Sequence, residues 1–310
     1  MSNPQSMYLF GEAVQNGFVV KDDYKIAEST EGSEDKFFIR VNNKKYLVKD
    51  SSWNKRRKQS SLAPFCEYVG SNFIRFSGIP CQVTYLGVYE NKPVIICEDL
   101  FEDCIFQPFK ELHQSSADTD LSDKAYTYED VLYVLKKRKH LENNDFERVK
   151  SQFWIMFLMD AILGNRDRHE GNWGFIKQNG KVKLSPIFDN GSSLFPDVDL
   201  SKSKDKDFIK ERVFRMPASQ FKMWKEGITD RPMRTNFYEI IRDYSDFFSK
   251  ELSIVQKLDV SNLIENSIKD VPVEYANWFR VIIKCRFECL IKDRDFEDVW
   301  RENLWYTQPQ

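Results

Sequence analysis

The sequence predicts an α+β fold of two lobes, β-rich at the front and mainly helical behind, and three observations predict it. The first hundred residues hold short β-branched and aromatic runs separated by Asn-containing turns, the pattern of hairpins. Most of the remainder repeats apolar residues at helical spacing. Between the two, residues 160–194 interrupt the helical pattern with DAILGNRDRHEGNWGF, a short hairpin and then SPIFDNGSSL. At 310 residues the chain is long enough for two lobes, each with a core. The expected limits are a small lobe at 1–97, a hinge at 98–104 and a large lobe at 105–310, one domain in all.

In chain order, Phe37 to Val41 and Tyr46 to Lys49 read as strands joined through Asn42, Asn43 and Lys44. Leu62, Phe65, Cys66, Val69 and Phe73 mark one face of a helix across Ser60 to Phe76. A second hairpin, Val83 to Val88 and Pro93 to Cys97, turns through Glu90, Asn91 and Lys92. Glu98, Asp99, Leu100 and Phe101 then form the hinge, and the polar stretch His113 to Lys124 reads as a loop. Phe146 to Leu163 is apolar on more than one face and predicts a buried helix. Gly174 to Lys177 and Lys181 to Leu184 are strands joined through Gln178, Asn179 and Gly180, where Asn-Gly is a strong hairpin signal. The Lys- and Asp-rich centre of Phe195 to Ala218 reads as a solvated loop. Asn236 to Lys257 and Val273 to Lys292 each predict a helix, the second through Trp278, Ile282, Cys285 and Cys289.

The chemistry lies in the interrupted region. Asp167 and Asn172 stand with four residues between them, and Asp189 returns at the far end of the hairpin. Taken singly, these are ordinary features: Asp189-Asn190-Gly191 a turn, Asn172 a cap, Asp167 with Arg168 a surface ion pair. Together and in this order they match a phosphoryl-transfer centre. There an Asp accepts the proton of the attacking hydroxyl, an Asn five positions on holds one Mg²⁺, and a further Asp holds the metals on the nucleotide phosphates. Lys49 ends a strand in KYLVK, where such a centre places the contact to the α and β phosphates, and Glu67 on the following helix is its natural partner. The phosphate-covering loop would be Ser29 to Lys36; its single glycine, Gly32, departs from the glycine-rich pattern of eukaryotic protein kinases, and Ser33 lies beside it. Backbone groups of Glu98, Asp99, Leu100 and Phe101 are expected at the adenine edge, with Leu100 packing nearby. In that setting the charged stretch after Phe195 occupies the place of an activation and substrate-docking segment.

With these residues in hand, the chain resembles the HipA-like serine/threonine kinases, especially their short bacterial members. NRDRHEGNWGF at 165–175, FDNGSS at 188–193 and YLVKD at 46–50 carry the likeness. The resemblance implies a two-lobed protein-kinase-like fold, ATP with Mg²⁺, and phosphorylation of a protein substrate as well as of itself. It makes Asp167 the catalytic base, Asn172 and Asp189 the metal ligands and Lys49 the phosphate contact, with His169 orienting the catalytic loop. Arg168 pairs with either a carboxylate or a phosphorylated loop. Ser29, Thr30 and Ser33 are candidates for silencing autophosphorylation, since a phosphate there repels those of the nucleotide. Full-length HipA toxins carry a further front subdomain that meets an antitoxin. Only about 25 residues precede the phosphate loop here, which argues against dependence on a HipB-like partner. A growth-inhibiting toxin role follows from the likeness alone.

Two other classes compete. The Asp-Arg-His-x-x-Asn string also suits a phosphoinositide or small-molecule kinase, although Lys55 to Lys58 is the only basic cluster suited to an anionic membrane. A nucleotide-binding scaffold without turnover is the other, and every position of the centre is present against it. The 46 basic and 48 acidic residues nearly cancel, so no nucleic-acid partner is expected. No apolar run is long enough to span a membrane and the start lacks the pattern of a signal peptide, so the expected location is cytoplasmic, with secretion by another route left open. The six cysteines are scattered in apolar runs and read as reduced core thiols.

Overall fold

Alternation along the strands builds the small lobe. The computed structural model describes residues 18–27, 36–50, 53–54, 59–90, 92–116, 127–137, 143–223 and 233–302. In chain order come β1 (Phe18–Val19), β2 (Lys36–Val41), β3 (Lys44–Asp50), a short ribbon of β4 (Trp53–Asn54) and β5 (Gln59–Ser60), helix α1 (Ala63–Phe76), β6 (Thr84–Tyr89) and β7 (Lys92–Glu98). Five of these strands make one sheet in the order β1-β6-β7-β3-β2, antiparallel except where β1 meets β6. Tyr46 and Val48 of β3 join Val94 and Ile96 of β7 in a core on one face. Leu47, Ile95 and Cys97 point to the other face and pack into the main core with α1. Lys49 follows the second set. A slip of one residue would turn it away from α1. The β2–β3 turn has Asn42 and Asn43 both at positive φ, 50° and 62°, as a two-residue hairpin of this twist requires.

The large lobe starts with β8 (Ile105–Pro108), α2 (Phe109–Ser116), α3 (Tyr128–Lys137) and α4 (Asn143–Leu163). β9 (Gly174–Gln178) and β10 (Lys181–Leu184) pair through Asn179 and Gly180, and β8 joins them as a third strand, in the order β10-β9-β8. β8 was not expected from sequence. Gly174 makes its pairing possible, because a Cβ there would lie 2.3 Å from the Gln107 carbonyl oxygen. Among the described residues, five further helices complete the lobe after α5 (Lys206–Phe214) and the ribbon β11 (Pro217–Met223) and β12 (Met233–Asn236). They are α6 (Phe237–Tyr244), α7 (Ser249–Val255), α8 (Val260–Ile268), α9 (Val273–Arg286) and, last, α10 (Phe296–Glu302).

Several sequence expectations change here. The charged stretch after Phe195 is not a loop throughout: α5 forms inside it, with Asp205 accepting from Phe208 N–H at 3.0 Å as its cap and Ile209 and Val213 buried one turn apart. The i, i+4 apolar pair outweighs the surrounding charge. Residues 113–116 of the expected loop belong to α2, whereas 117–124 lie outside the described residues. The helix expected over 236–257 is split by a 3-10 turn, Ser245–Phe248, that buries Phe248 against Trp154 at 4.4 Å between ring centres. That expected over 273–292 passes from α9 into a π-helical turn, Phe287–Ile291, which keeps Cys289, Leu290 and Ile291 all buried. The six cysteines are free and all but Cys104 are buried.

Candidate active site

Lys49 stands at the centre. Its Nζ donates to both carboxylate oxygens of Glu67, each at 2.9 Å, and to Asp189 Oδ1 at 2.9 Å. Burial by itself would lower the Lys49 ammonium, but the charges of Glu67 and Asp189 outweigh it and hold it well above the usual lysine range. Asp189 answers in the opposite sense: burial would raise its carboxyl, and Lys49 holds it below the ordinary value. The backbone at Asp189 is left-handed, φ 58°, which turns its side chain back toward the sheet. Gly191 follows for a reason of space, since a Cβ there would meet Glu67 Oε2 at 3.2 Å.

Arg168 assembles the rest from a fully buried position. Its guanidinium grips Asp160 with Nε at 3.0 Å and Nη2 at 3.1 Å, and Nη2 also donates to Asn190 Oδ1 at 2.7 Å. Nη1 donates to the carbonyls of both Asn172, at 3.2 Å, and Phe188. One side chain therefore ties the loop bearing Asp167 and Asn172 to the residue preceding Asp189. Of the two partners open at the sequence level, the carboxylate is the one present. Asn190 continues the network into α1 by donating to Ser71 Oγ at 3.0 Å. Asn165 donates to Asp160 at 3.1 Å and accepts from Asp167 N–H at 3.1 Å, which sets the start of the loop. Asp167 itself is exposed, with its carboxylate unengaged among the described residues. Asn172 is buried and its Nδ2 donates to the Asp167 carbonyl at 3.1 Å, leaving its amide oxygen for another partner. His169 accepts from Gly171 N–H at 3.0 Å and so closes the turn of the loop upon itself.

The segment expected as the hinge is fastened to the sheet by Lys45 with Asp99 at 3.1 Å and Arg40 with Glu102 at 2.6 Å. Glu98 is less suited to the adenine edge than expected: its N–H donates to Val83 O at 2.9 Å and its carbonyl accepts from Gln82 Nε2 at 2.9 Å. The Asp99 carbonyl and the Leu100 N–H, one step on, have no partner among the described residues. Phe101 stacks on Phe106 at 4.2 Å, and both meet Phe188 edge-on at 5.4 and 5.5 Å. This trio links hinge, β8 and the residue before Asp189. Gly32, Ser29, Thr30 and Ser33 lie outside the described residues.

Sequence reasoning did not find Asp160, Asn165, Asn190 or the aromatic trio. Asp160 opens the quoted motif, and its position seven residues before Asp167 on an apolar helix was the available signal, a carboxylate where none can be buried alone. Among the described residues no three His, Cys, Asp or Glu gather as a metal cage. One amide oxygen and one carboxylate, on loops held by the same guanidinium, instead suit Mg²⁺ that takes its other oxygens from phosphates and water.

A curled sheet over a helical lobe, with a Lys–Glu pair and an Asp…Asn…Asp set between them, defines a kinase. The HipA-like C-terminal domain matches residues 28–246, and the chain belongs to that family. It is 31% identical over 255 residues to the serine/threonine-protein kinase CtkA of Helicobacter pylori, covering 76% of this chain and 73% of CtkA. The crystal structure of the H. pylori proinflammatory kinase CtkA superposes with a TM-score of 0.69 at 26% identity, over 83% of this chain and 91% of that one. The HipA–HipB–operator DNA complex of Shewanella oneidensis shares the fold, at TM-score 0.53 and 12% identity over 90% and 68% of the two chains.

Proposed function

We propose that this kinase transfers the γ-phosphate of ATP to serine or threonine hydroxyls of proteins and of itself. The observation that carries the reading is Lys49, buried between Glu67 and Asp189 and charged by both. In this reading residues 1–97 and 105–310 are the lobes and 98–104 the hinge. Lys49 fixes the α and β phosphates, Asp189 and Asn172 would hold Mg²⁺, and the Asp99 carbonyl with the Leu100 N–H meets the adenine edge. The nucleotide with its metal supplies the phosphoryl group and neutralises charge as it moves. Asp167, exposed at the loop, orients the acceptor hydroxyl and takes its proton.

The test is transfer of γ-³²P from ATP with Mg²⁺ to the chain, to a protein extract and to lipid vesicles. Wild type should label itself and protein, and Asp167→Ala and Asp189→Ala should each lose at least about a hundredfold, the scale of a lost general base. Label in vesicles alone would move the assignment to a lipid kinase. Phosphosite mapping decides whether Ser29, Thr30 or Ser33 is modified.

A further inference from the structure

Glu67 must stay aimed at Lys49, and the structure shows what holds it from behind. Successive residues of a helix point about 100° apart, so Tyr68 leaves α1 on the side away from the sheet. Its hydroxyl donates to Asp270 Oδ2 at 2.5 Å, across to the turn between α8 and α9 in the large lobe. The other oxygen of Asp270, Oδ1, is buried without a partner, so among the described residues the Tyr68 hydroxyl is the only donor to this carboxylate. Tyr68 itself is 7% exposed.

Other contacts seat the same helix on the large lobe. Leu62 N–H donates to the Pro196 carbonyl at 2.9 Å, Phe65 packs on Tyr275 at 5.1 Å between ring centres, and Ser71 accepts from Asn190. Every residue from Pro64 to Ile74 is buried, so no face of α1 is left from which it could swing through solvent. These contacts fix where the helix lies. The hydrogen bond of Tyr68 is the polar contact to the large lobe made by the residue next to Glu67, and bonds to a carboxylate are among the stronger ones.

We propose that Tyr68 and Asp270 are positioning residues for phosphoryl transfer: their hydrogen bond keeps Glu67 on Lys49 before nucleotide arrives, so that α1 needs no partner or phosphorylation to bring it into place. The inference rests on the kinase reading for its catalytic consequence, but the pinning of α1 stands apart from turnover.

The experiment has two arms on the full chain. Hydrogen exchange of the α1 amides, with and without a non-hydrolysable ATP analogue and Mg²⁺, should show equal protection in the wild type and weaker protection in Tyr68→Phe. A marked rise of wild-type protection on adding the analogue would overturn the proposal, whether or not the chain transfers phosphate. In the kinetic arm, Tyr68→Phe and Asp270→Ala should each lower kcat/KM for ATP about tenfold, the equivalent of ~1.4 kcal/mol. Asp270→Asn, which still accepts from the hydroxyl, should stay near wild type. Added to Glu67→Gln, the Tyr68→Phe change should cost nothing further, because the group it positions is already altered. An equal loss in both backgrounds would mean that Tyr68 supports only general stability. An inactive wild type with nucleotide-independent protection would count against the kinase reading and leave the pinning intact.

Discussion

Arg168 is 3% exposed and its partner Asp160 is equally buried, so neither charge has water to fall back on. Their worth lies in geometry: the guanidinium fork reaches a carboxylate, an amide oxygen and two backbone carbonyls that belong to three segments. Replacing Arg168 by Met strands Asp160, and loss of one member of such a buried pair costs about 3–5 kcal/mol. Urea unfolding of Arg168→Met should show that loss, whereas a change of less than about 1 kcal/mol would mean that Asp160 finds another donor. Arg168→Lys keeps the charge without the fork and should recover only part of it. Asp167, Asn172 and Asp189 were legible because their roles impose a spacing on the chain. Asn190 was not, because its role is to satisfy one arginine in space and leaves no interval to read, and Asp160 left only the weaker signal of a carboxylate on an apolar helix.

Among the elements, α2 bears on the catalytic loop through His113. Its Nδ1 lies 3.0 Å from Glu170 Oε2, and its Nε2 lies 3.7 Å from Asp130 Oδ1 of α3. Backbone bonds from Phe109 N–H to Trp173 O, at 3.0 Å, and from Lys110 N–H to Glu170 O, at 3.1 Å, seat the same helix on the loop. Asp130 and Glu170 push the His113 imidazole up from 6.5 to about 9. A raised value means that the folded chain holds the proton more tightly than the unfolded one. Its stabilising contribution is complete below about pH 6.5 and is lost as pH climbs through about 9. The urea midpoint of wild type should therefore fall across that window, and His113→Gln should flatten that part of the curve. An unchanged slope in the variant would assign the fall to other groups. The sequence reads the stretch from His113 onward as loop, since the polar run after His113 hides the apolar contacts of Phe109 and Leu112.

For the molecule as a whole, one apolar core runs through both lobes, from Leu86 and Ile95 of the sheet through Phe65 and Phe73 of α1 to Ile264 and Phe279 behind them. Lobes that share a core should melt together. Far-UV circular dichroism and tryptophan fluorescence are expected to report a single coincident thermal transition, and two separated transitions would show that the small lobe opens independently. No described helix is long and apolar enough to cross a membrane. With five of six cysteines buried and none paired, that transition should not shift when a reductant is added.

Spacing and alternation by themselves pointed to the residues proposed to carry the chemistry and to the order of the two lobes. Lys49 follows from the end of a strand, Glu67 from a helix between two hairpins, and Asp167, Asn172 and Asp189 from a loop, a hairpin and a second loop. These are local properties of the chain, so local patterns record them. Tertiary structure alone decided that β8 completes the hairpin sheet and that the helix expected over 236–257 breaks to bury Phe248. It alone decided, too, that Arg168 turns inward and that Tyr68 reaches across to Asp270. Most of these contacts join residues far apart in sequence, chosen because a buried polar group must find a partner and an apolar one must leave water.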